Sequence, residues 1–420
     1  MAGMTIGQFC SRLVAASLAL FALAACKGGS DSNGDGPHAD LVAENVPRIE
    51  RATGLKFKTP PRIEVRSRDQ IREFLQSRVT EEAATKELLG QQSAYRRLAL
   101  LPETLDLRSF LVNLLTEQVA GYYDPKTKVL YVPDDARAEI LEQTVTHELV
   151  HALQDQYANL DSIQGTTGQN DRVTAASSVM EGQATFVSLR LMGGQLIAWD
   201  KAREVIRQSQ SSMPLFSTAP TIIQETLLFP YLSGAEFMSR YDTRNPRSSP
   251  FSGNLPVSTE QILHADAYFD KRDDPVRITL PSPTTGETTY ENNLGEFETR
   301  ILLFEHTRDQ NLAVRAAAGW DGDRYMVIRT ARGEGIAWLT IWDSAIDAAE
   351  FTNAMSEGIA VRFKSPAGDP LPSGGKKYVA RERALMLWGG EVSGRSAVLF
   401  VDVPDGVDTN VIDVAKVELR

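Results

Sequence analysis

The sequence predicts a mixed α+β fold for this 420-residue chain. Residues 41–115 have the apolar spacing of helices, interrupted by one predicted strand at 62–65. Beyond residue 275, strand-like runs rich in β-branched and aromatic residues alternate with helical patterns. The strands are expected at 325–329, 336–341 and 397–403, and the helices at 294–304 and 345–355. Because 42% of positions are hydrophobic and 24% are charged, the chain can bury a sizeable core.

The amino-terminal residues have the pattern of an export signal followed by a tether. A weakly basic start ends at Arg12, and the apolar run at 13–25 is too short to span a bilayer as a helix. We therefore expect a signal peptide at residues 1–25. Residues 26–40 are rich in Gly, Ser, Asp and Asn, and this composition favours a flexible tether.

The apolar run closes on Leu-Ala-Ala-Cys at residues 23–26, which resembles the bacterial lipobox. The resemblance implies that Cys26 is lipidated and becomes the first residue of the mature protein. An ordinary signal peptide cleaved after Ala25 is the alternative. Enterobacterial lipoproteins retained at the inner membrane carry aspartate where this chain has Lys27. We therefore expect a lipid-anchored protein of the cell envelope, at the outer membrane if the source is Gram-negative.

Charge and cysteine content narrow the functional classes. The formal net charge is −11, and it becomes −12 without residues 1–25 because Arg12 is the only charged residue among them. Such a charge argues against nucleic acid as a partner. Cys10 and Cys26 are the only cysteines, and Cys10 lies inside the predicted signal, so no intramolecular disulfide can form in the mature protein.

The segment His147-Glu148-Leu149-Val150-His151 is the strongest indication of chemistry. Two histidines four residues apart on a helix face the same way and can bind one metal ion, with Glu148 beside it as a base. The surrounding run at 143–154 has few charges, which favours a buried helix. A pair of core histidines satisfied by hydrogen bonds is the alternative. Two of only five histidines at this spacing beside a glutamate favour the metal site.

The elements around this motif follow from local patterns. Residues 128–132 predict a strand directly before the motif helix. We expect that helix to begin near Asp134 or Asp135, either of which could cap it. A second helix is predicted at 173–191.

A hydrolytic zinc site usually has three protein ligands and leaves a fourth position for water, so His147 and His151 need a partner. Glu181 on the second helix is the predicted third ligand. Its neighbours are small enough for close approach to a metal: Ser177, Ser178, Gly182 and Ala184. Asp171 and Asp155 are alternatives, and Asp155 is the better placed to hold an imidazole in position.

At these residues the chain resembles the gluzincin metallopeptidases, whose His-Glu-x-x-His helix is followed by a second helix that provides a glutamate. His147, Glu148, His151 and Glu181 fit that pattern. The resemblance covers about residues 121–191. It implies a zincin fold, Zn²⁺ as cofactor, a peptide or protein substrate, and an upstream edge strand that pairs with extended substrate.

The strand predicted at 128–132 lies where that substrate-binding strand should be. Two features depart from thermolysin-like members: Thr185 stands where they have an aspartate, and the two helices are further apart in sequence. Tyr231 and His264 are candidate donors to the oxyanion that forms during peptide hydrolysis. Both residue types are also common in packed or surface positions.

Two folded units are expected after the tether. A zincin-like metallopeptidase domain with a helical amino-terminal part would occupy residues 41–275, and a C-terminal α+β domain of undetermined role would occupy 276–420. The polar, proline-containing stretch at 270–292 suggests this boundary.

The sequence thus predicts an exported, lipid-anchored zinc metallopeptidase, with His147, His151 and Glu181 as zinc ligands and Glu148 as general base. A metallopeptidase-like lipoprotein that serves as a binding or assembly scaffold, without turnover, is the alternative.

Overall fold

A computed structural model describes residues 37–420, except 161, 163–165, 194–197, 247, 252, 365–367 and 372–373. The predicted signal peptide, the lipidation site at Cys26 and most of the tether lie outside the described residues. Among the helices that are described, none combines the length and the apolar character needed to cross a membrane.

Helices dominate the chain before the metal motif. The elements are α1 (Ala39–Thr53), β1 (Arg62–Arg66), α2 (Arg68–Thr80), α3 (Glu82–Arg97) and α4 (Leu107–Gln118). Ser67 begins α2 with a capping box, because its hydroxyl accepts from the Gln70 N–H and the Gln70 side chain accepts from the Ser67 N–H. The helical pattern predicted at 41–115 and its interrupting strand are confirmed.

A small sheet precedes the motif helix. Its strands β1, β2 (Tyr122–Asp124) and β3 (Val129–Pro133) lie in the order β1-β3-β2, with β3 parallel to β1 and antiparallel to β2. The strand predicted at 128–132 therefore exists, but the expectation that it is an edge strand is wrong. Both of its backbone edges are already paired, so it cannot bind an extended substrate by strand addition.

The next two helices, α5 (Ala138–Asp155) and α6 (Asn170–Gly193), contain the motif and the predicted third ligand. The expectation that Asp134 or Asp135 caps α5 is wrong, since the helix begins later with Arg137 at its cap position and no side-chain cap. Asp135 instead accepts hydrogen bonds from the Arg68 guanidinium at 2.9 and 3.0 Å. The second helix, predicted at 173–191, is confirmed and slightly longer.

Further helices complete this part: α7 (Trp199–Ser211), α8 (Pro214–Ser217), α9 (Thr221–Arg244), α10 (Thr259–Leu263) and α11 (Ala265–Phe269). The long helix α9 packs directly on α6. A Cβ atom on Gly182 would lie 2.2 Å from the Gly234 carbonyl carbon, and one on Gly234 would lie 2.1 Å from the Ser178 carbonyl oxygen. The small residues around Glu181 therefore allow helix–helix contact.

The C-terminal part is built on a large antiparallel sheet. Its strands are β5 (Glu287–Asn292), β6 (Trp320–Thr330), β7 (Gly333–Trp342), β8 (Asp369–Pro370), β9 (Lys376–Ala380), β10 (Arg383–Val392) and β11 (Arg395–Pro404). They lie in the order β5-β6-β7-β11-β10-β9-β8. The short strands β4 (Ile278–Thr279) and β12 (Glu418–Leu419) pair separately.

Three helices accompany this sheet: α12 (Gly295–Thr307), α13 (Gln310–Ala317) and α14 (Ala345–Phe363). Alternate strand residues face opposite sides, so Trp338 packs in one apolar cluster and Leu339 in another. The mixed α+β class and each C-terminal element predicted from sequence are confirmed.

Apolar packing continues across residue 275. One cluster contains residues from α1 through β11, and the rings of Phe229 and Phe297 stack with centroids 3.9 Å apart. The two parts of the chain therefore share buried surface. The division into domains at 275/276 stays a prediction.

Candidate metal centre

Helix α5 brings its two histidines to one face, as the four-residue spacing requires. The Nε2 atoms of His147 and His151 are 3.1 Å apart, and both side chains are buried. Their rings meet edge to face with centroids 4.8 Å apart. The two Nε2 atoms are therefore close enough to bind the same metal ion.

Glu181 on α6 completes the group. Its Oε2 atom lies 3.2 Å from His147 Nε2 and 3.2 Å from His151 Nε2. The carboxylate is 1% exposed. Among the described residues, these three side chains are the group whose potential ligand atoms converge closely enough for one metal ion.

The spacing of these three atoms fits a tetrahedrally coordinated metal ion. A tetrahedral ion with ligand bonds of about 2.0–2.1 Å holds its ligand atoms about 3.3 Å apart. The three observed distances, 3.1, 3.2 and 3.2 Å, are close to that edge length. Two imidazole nitrogens and one carboxylate oxygen are also a donor set that divalent transition metals accept.

The electrostatics of the group also suit a cation. Burial lowers the pKa of His147. Burial acts the same way on His151, but the Glu181 carboxylate outweighs it and raises the pKa of His151 to about 9. Burial would raise the pKa of Glu181, yet the two imidazoles hold it below its usual value. Negative charge on Glu181 thus favours a positive species between the three side chains.

Glu148 lies beside this group and is fully buried. Burial raises its pKa well above the usual value, and the Tyr123 backbone N–H opposes that shift. Neither carboxylate oxygen has a well-formed hydrogen bond within the described part of the chain. A buried carboxyl group with few partners is costly, so the place of Glu148 beside the three converging side chains is compatible with a role toward a ligand there.

A glutamine near the end of α5 contacts His151 on the side of the ring that faces away from the other two ligands. The Oε1 atom of Gln154 is 2.8 Å from His151 Nδ1, and its Nε2 donates to the Met180 carbonyl at 2.9 Å and to Gln183 Oε1 at 3.0 Å. Sequence reasoning gave Gln154 no role. Its position three residues after His151, on the same helix face, was the available signal.

The structure separates the two candidate oxyanion donors. The Tyr231 ring on α9 lies over His147, with centroids 6.0 Å apart and the planes 24° from parallel. His264 is placed differently, because its Nε2 lies 2.9 Å from Glu296 Oε1 and 3.0 Å from Arg300 Nη2 on α12. Tyr231 therefore lines the metal centre. None of the contacts among the described residues places His264 near that centre.

The two alternative carboxylates are placed elsewhere. Asp155 accepts from the Tyr123 hydroxyl at 2.8 Å and from Lys128 Nζ at 2.6 Å. The expectation that Asp155 holds an imidazole is wrong, because Gln154 occupies that position. Asp171 accepts from the Thr259 backbone N–H at 2.9 Å and from its hydroxyl, at the opposite end of α6 from Gly193.

A family model matches part of the chain. It is described as a domain of unknown function, DUF8575, and it matches residues 283–395. No curated protein and no solved structure matches the chain. The matched segment includes β5 to β10 and lies outside residues 121–191, which carry the metal motif. The matched family therefore gives no indication of the chemistry at the metal centre.

Proposed function

We propose that this protein is a zinc-dependent peptidase of the gluzincin type. The observation that carries the proposal is the convergence of His147, His151 and Glu181, three buried side chains at tetrahedral spacing. Beside them lies Glu148, whose carboxylate oxygens have no well-formed hydrogen bond among the described residues. This combination of three ligands and an adjacent base is the minimum for hydrolysis at a metal centre.

Each residue has a role in the proposed reaction. When bound, zinc supplies a Lewis acid that makes water a nucleophile near neutral pH. His147, His151 and Glu181 hold it. Glu148 takes the proton from the attacking water and later returns it to the leaving amine.

The substrate backbone would pair with β2. This strand is bonded to β3 on one side only within the described sheet. The Tyr123 backbone N–H opposes the rise in the pKa of Glu148, so this part of β2 lies close to the proposed base. All three residues of β2 are buried, so the elements that cover its free edge would have to move before a peptide could bind. A peptide added there would place its scissile carbonyl near the base. Tyr231, beside His147, would donate a hydrogen bond from its hydroxyl group to the oxyanion.

The proposed location of the enzyme is the cell envelope. Lipidation of Cys26 would anchor the protein to a membrane of the cell envelope, with peptides or proteins as its substrates. Radiolabelled palmitate should enter the parent protein and not Cys26→Ser. A Cys26→Ser variant that still incorporates the label would exclude this anchor.

One observation favours a second function. His147, Glu148, His151 and Glu181 are each at most 4% exposed. A metal enclosed in this way could stabilise a scaffold without turnover, as structural zinc sites do. The two functions differ in whether Glu148 is needed for an activity.

The deciding experiment compares the parent with Glu148→Gln and with a control, Glu142→Gln. Glu142 lies on the same helix, is exposed, and pairs with Arg48. We expect all three proteins to bind zinc equally, while peptide cleavage falls by about 10²- to 10⁴-fold in Glu148→Gln only. Zinc binding without cleavage of a broad peptide library by the parent would favour the scaffold. Absence of zinc binding would exclude both functions.

A further inference from the structure

The hydrogen bonds of Gln154 determine which nitrogen of His151 carries a proton. The Met180 carbonyl can only accept a hydrogen bond, so the atom of Gln154 that faces it must be the amide nitrogen. The amide oxygen therefore faces His151 Nδ1, at 2.8 Å. Because that oxygen can only accept, Nδ1 must carry the hydrogen.

This arrangement fixes the chemistry of the other ring nitrogen. With Nδ1 protonated, the lone pair of the neutral imidazole lies on Nε2, which is the atom directed at Glu181 and His147. The wrong tautomer would leave an N–H where a metal must bind. It would also set the Gln154 oxygen against an unprotonated nitrogen.

The same side chain connects the two ligand-bearing helices. Gln154 lies on α5, and its amide nitrogen bonds the Met180 carbonyl of α6, in the peptide unit that joins Met180 to the ligand Glu181. Gln154 is 2% exposed, so water competes little for these bonds. One amide group thus sets both the tautomer of one ligand and the distance to another.

We propose that Gln154 is the positioning residue of the metal centre. It selects the Nε2 lone pair of His151 for the metal and holds the Glu181 peptide unit against α5. The inference rests on the proposed function in that it requires a metal at this site, and it does not require peptide cleavage. Thr185, at the position of the thermolysin-like aspartate, has a buried hydroxyl without a partner among the described residues. Orientation of a histidine therefore comes from α5 itself.

The test measures zinc affinity, by competition with a chromophoric chelator, for the parent and three variants. Gln154→Met has a similar shape and lacks both polar atoms. Gln154→Glu keeps an acceptor for Nδ1 and loses the donor to Met180. Gln183→Met is the control, because Gln183 contacts Gln154 and is not itself bonded to a histidine in the described structure. Thermal unfolding of each metal-free protein shows whether the fold is preserved.

We expect Gln154→Met to raise the zinc Kd about 10- to 100-fold, as loss of an outer-sphere partner does. Gln154→Glu should recover part of that loss, because it restores the acceptor for His151 Nδ1 and not the bond to Met180. The zinc Kd of Gln183→Met should stay within about threefold of the parent. Nitrogen chemical shifts of the zinc-bound parent should show His151 bound through Nε2 and protonated at Nδ1.

Any of four results would overturn the inference. The first three are an unchanged zinc Kd in Gln154→Met, an equal loss of zinc affinity in Gln154→Met and Gln154→Glu, and coordination of His151 through Nδ1. A loss in Gln154→Met that is matched by Gln183→Met would also exclude it, since it would reflect general packing. Failure of the proposed function is distinguishable, because it would appear as tight zinc binding by the parent with no peptide cleavage.

Discussion

Two regions of this molecule bury carboxylates, and they differ in how those carboxylates are satisfied. At the start of α12, Asp323 accepts from the backbone N–H groups of Leu294 and Gly295 and from the indoles of Trp320 and Trp338, at 2.8 to 3.2 Å. In the metal centre, Glu148 has no well-formed hydrogen bond to a described residue. A carboxylate surrounded by donors serves the fold, whereas one without donors is available to a ligand.

The largest stability effect should come from the satisfied region. Asp323→Ala would leave four buried donors unpaired, so we expect the free energy of unfolding to fall by about 3–5 kcal/mol. Chemical denaturation measures this loss. The exposed residue Asp369 provides the control, and Asp369→Ala should change stability by less than about 0.5 kcal/mol. A loss below about 1 kcal/mol in Asp323→Ala would contradict the comparison.

In the metal centre, the large effect should be on ligand affinity. Glu181→Ala removes one of three ligands, so we expect the zinc Kd to rise more than about 100-fold. Asp171→Asn is the control, because Asp171 is the other carboxylate of α6 and bonds Thr259. Its zinc Kd should stay within about threefold of the parent. A large rise in the zinc Kd of Asp171→Asn, with little change in Glu181→Ala, would identify Asp171 as the third ligand.

A smaller effect should come from the contact that positions Glu181. A methyl group at Gly182 would meet the Gly234 backbone, which cannot move as a side chain would, so Gly182→Ala should cost about 1–3 kcal/mol of unfolding free energy. Gly193 lies at the end of the same helix, and no atom of the described residues outside that helix lies within 4 Å of a Cβ placed on it. We therefore expect Gly193→Ala to be neutral or slightly stabilising. Equal stabilities of the two variants would refute the close approach of α6 and α9.

The satisfied region should also make stability depend on pH. Burial raises the pKa of Glu298 to about 8, against the bonds from Tyr95 and Asn170, and the Asp323 and Asp171 carboxylates contribute to the rise. The folded state then holds a proton that the unfolded chain releases above its usual pKa of about 4.3. Its stabilising contribution is complete below that pKa and is lost as pH rises toward 8.

Glu298→Gln should reduce this dependence, because a neutral amide can bond the same two partners at every pH. We expect the parent to lose up to about 1 kcal/mol per pH unit more than the variant between pH 5 and 8. Denaturation midpoints across this range provide the measurement. Parallel pH profiles for the two proteins would show that Glu298 ionises normally in the fold.

The smallest effect is expected at Asp155, the carboxylate that sequence reasoning assigned to an imidazole. Asp155→Asn removes the charge partner of Lys128, whose side chain is 61% exposed, so the loss should be below about 1 kcal/mol. The zinc Kd should stay within about twofold of the parent. A tenfold weakening would show that Asp155 acts on the centre after all.

Local rules accounted for much of the fold. Helices and strands followed from apolar periodicity, so α6 and the central strands of the large sheet matched their predicted positions closely. The pairing of strands that are distant in sequence could not be predicted from these local patterns. The strand at Val129–Pro133 was predicted, but its central place between β1 and β2 depends on residues more than sixty positions away in sequence.

The candidate site also combines features that the local sequence predicts with features that depend on distant residues. Gln154 was visible as part of a buried-looking run, but its function depends on the Met180 carbonyl of another helix. The match to a family model at 283–395 contributes nothing to the site, since it falls on the C-terminal sheet. The start of α5 at Ala138 was also not predicted, because the Asp135 side chain accepts a hydrogen bond from Arg68 and does not cap the helix.

By itself, the sequence determined that His147 and His151 share one helix face with Glu148 beside them, because helical geometry fixes neighbours four residues apart. Only the tertiary structure decided that Glu181, and not Asp155 or Asp171, meets them. All three carboxylates are close enough along the chain to compete. The packing of α6 between α5 and α9 selects one of them, and that packing depends on contacts between distant residues such as Gly182 and Gly234.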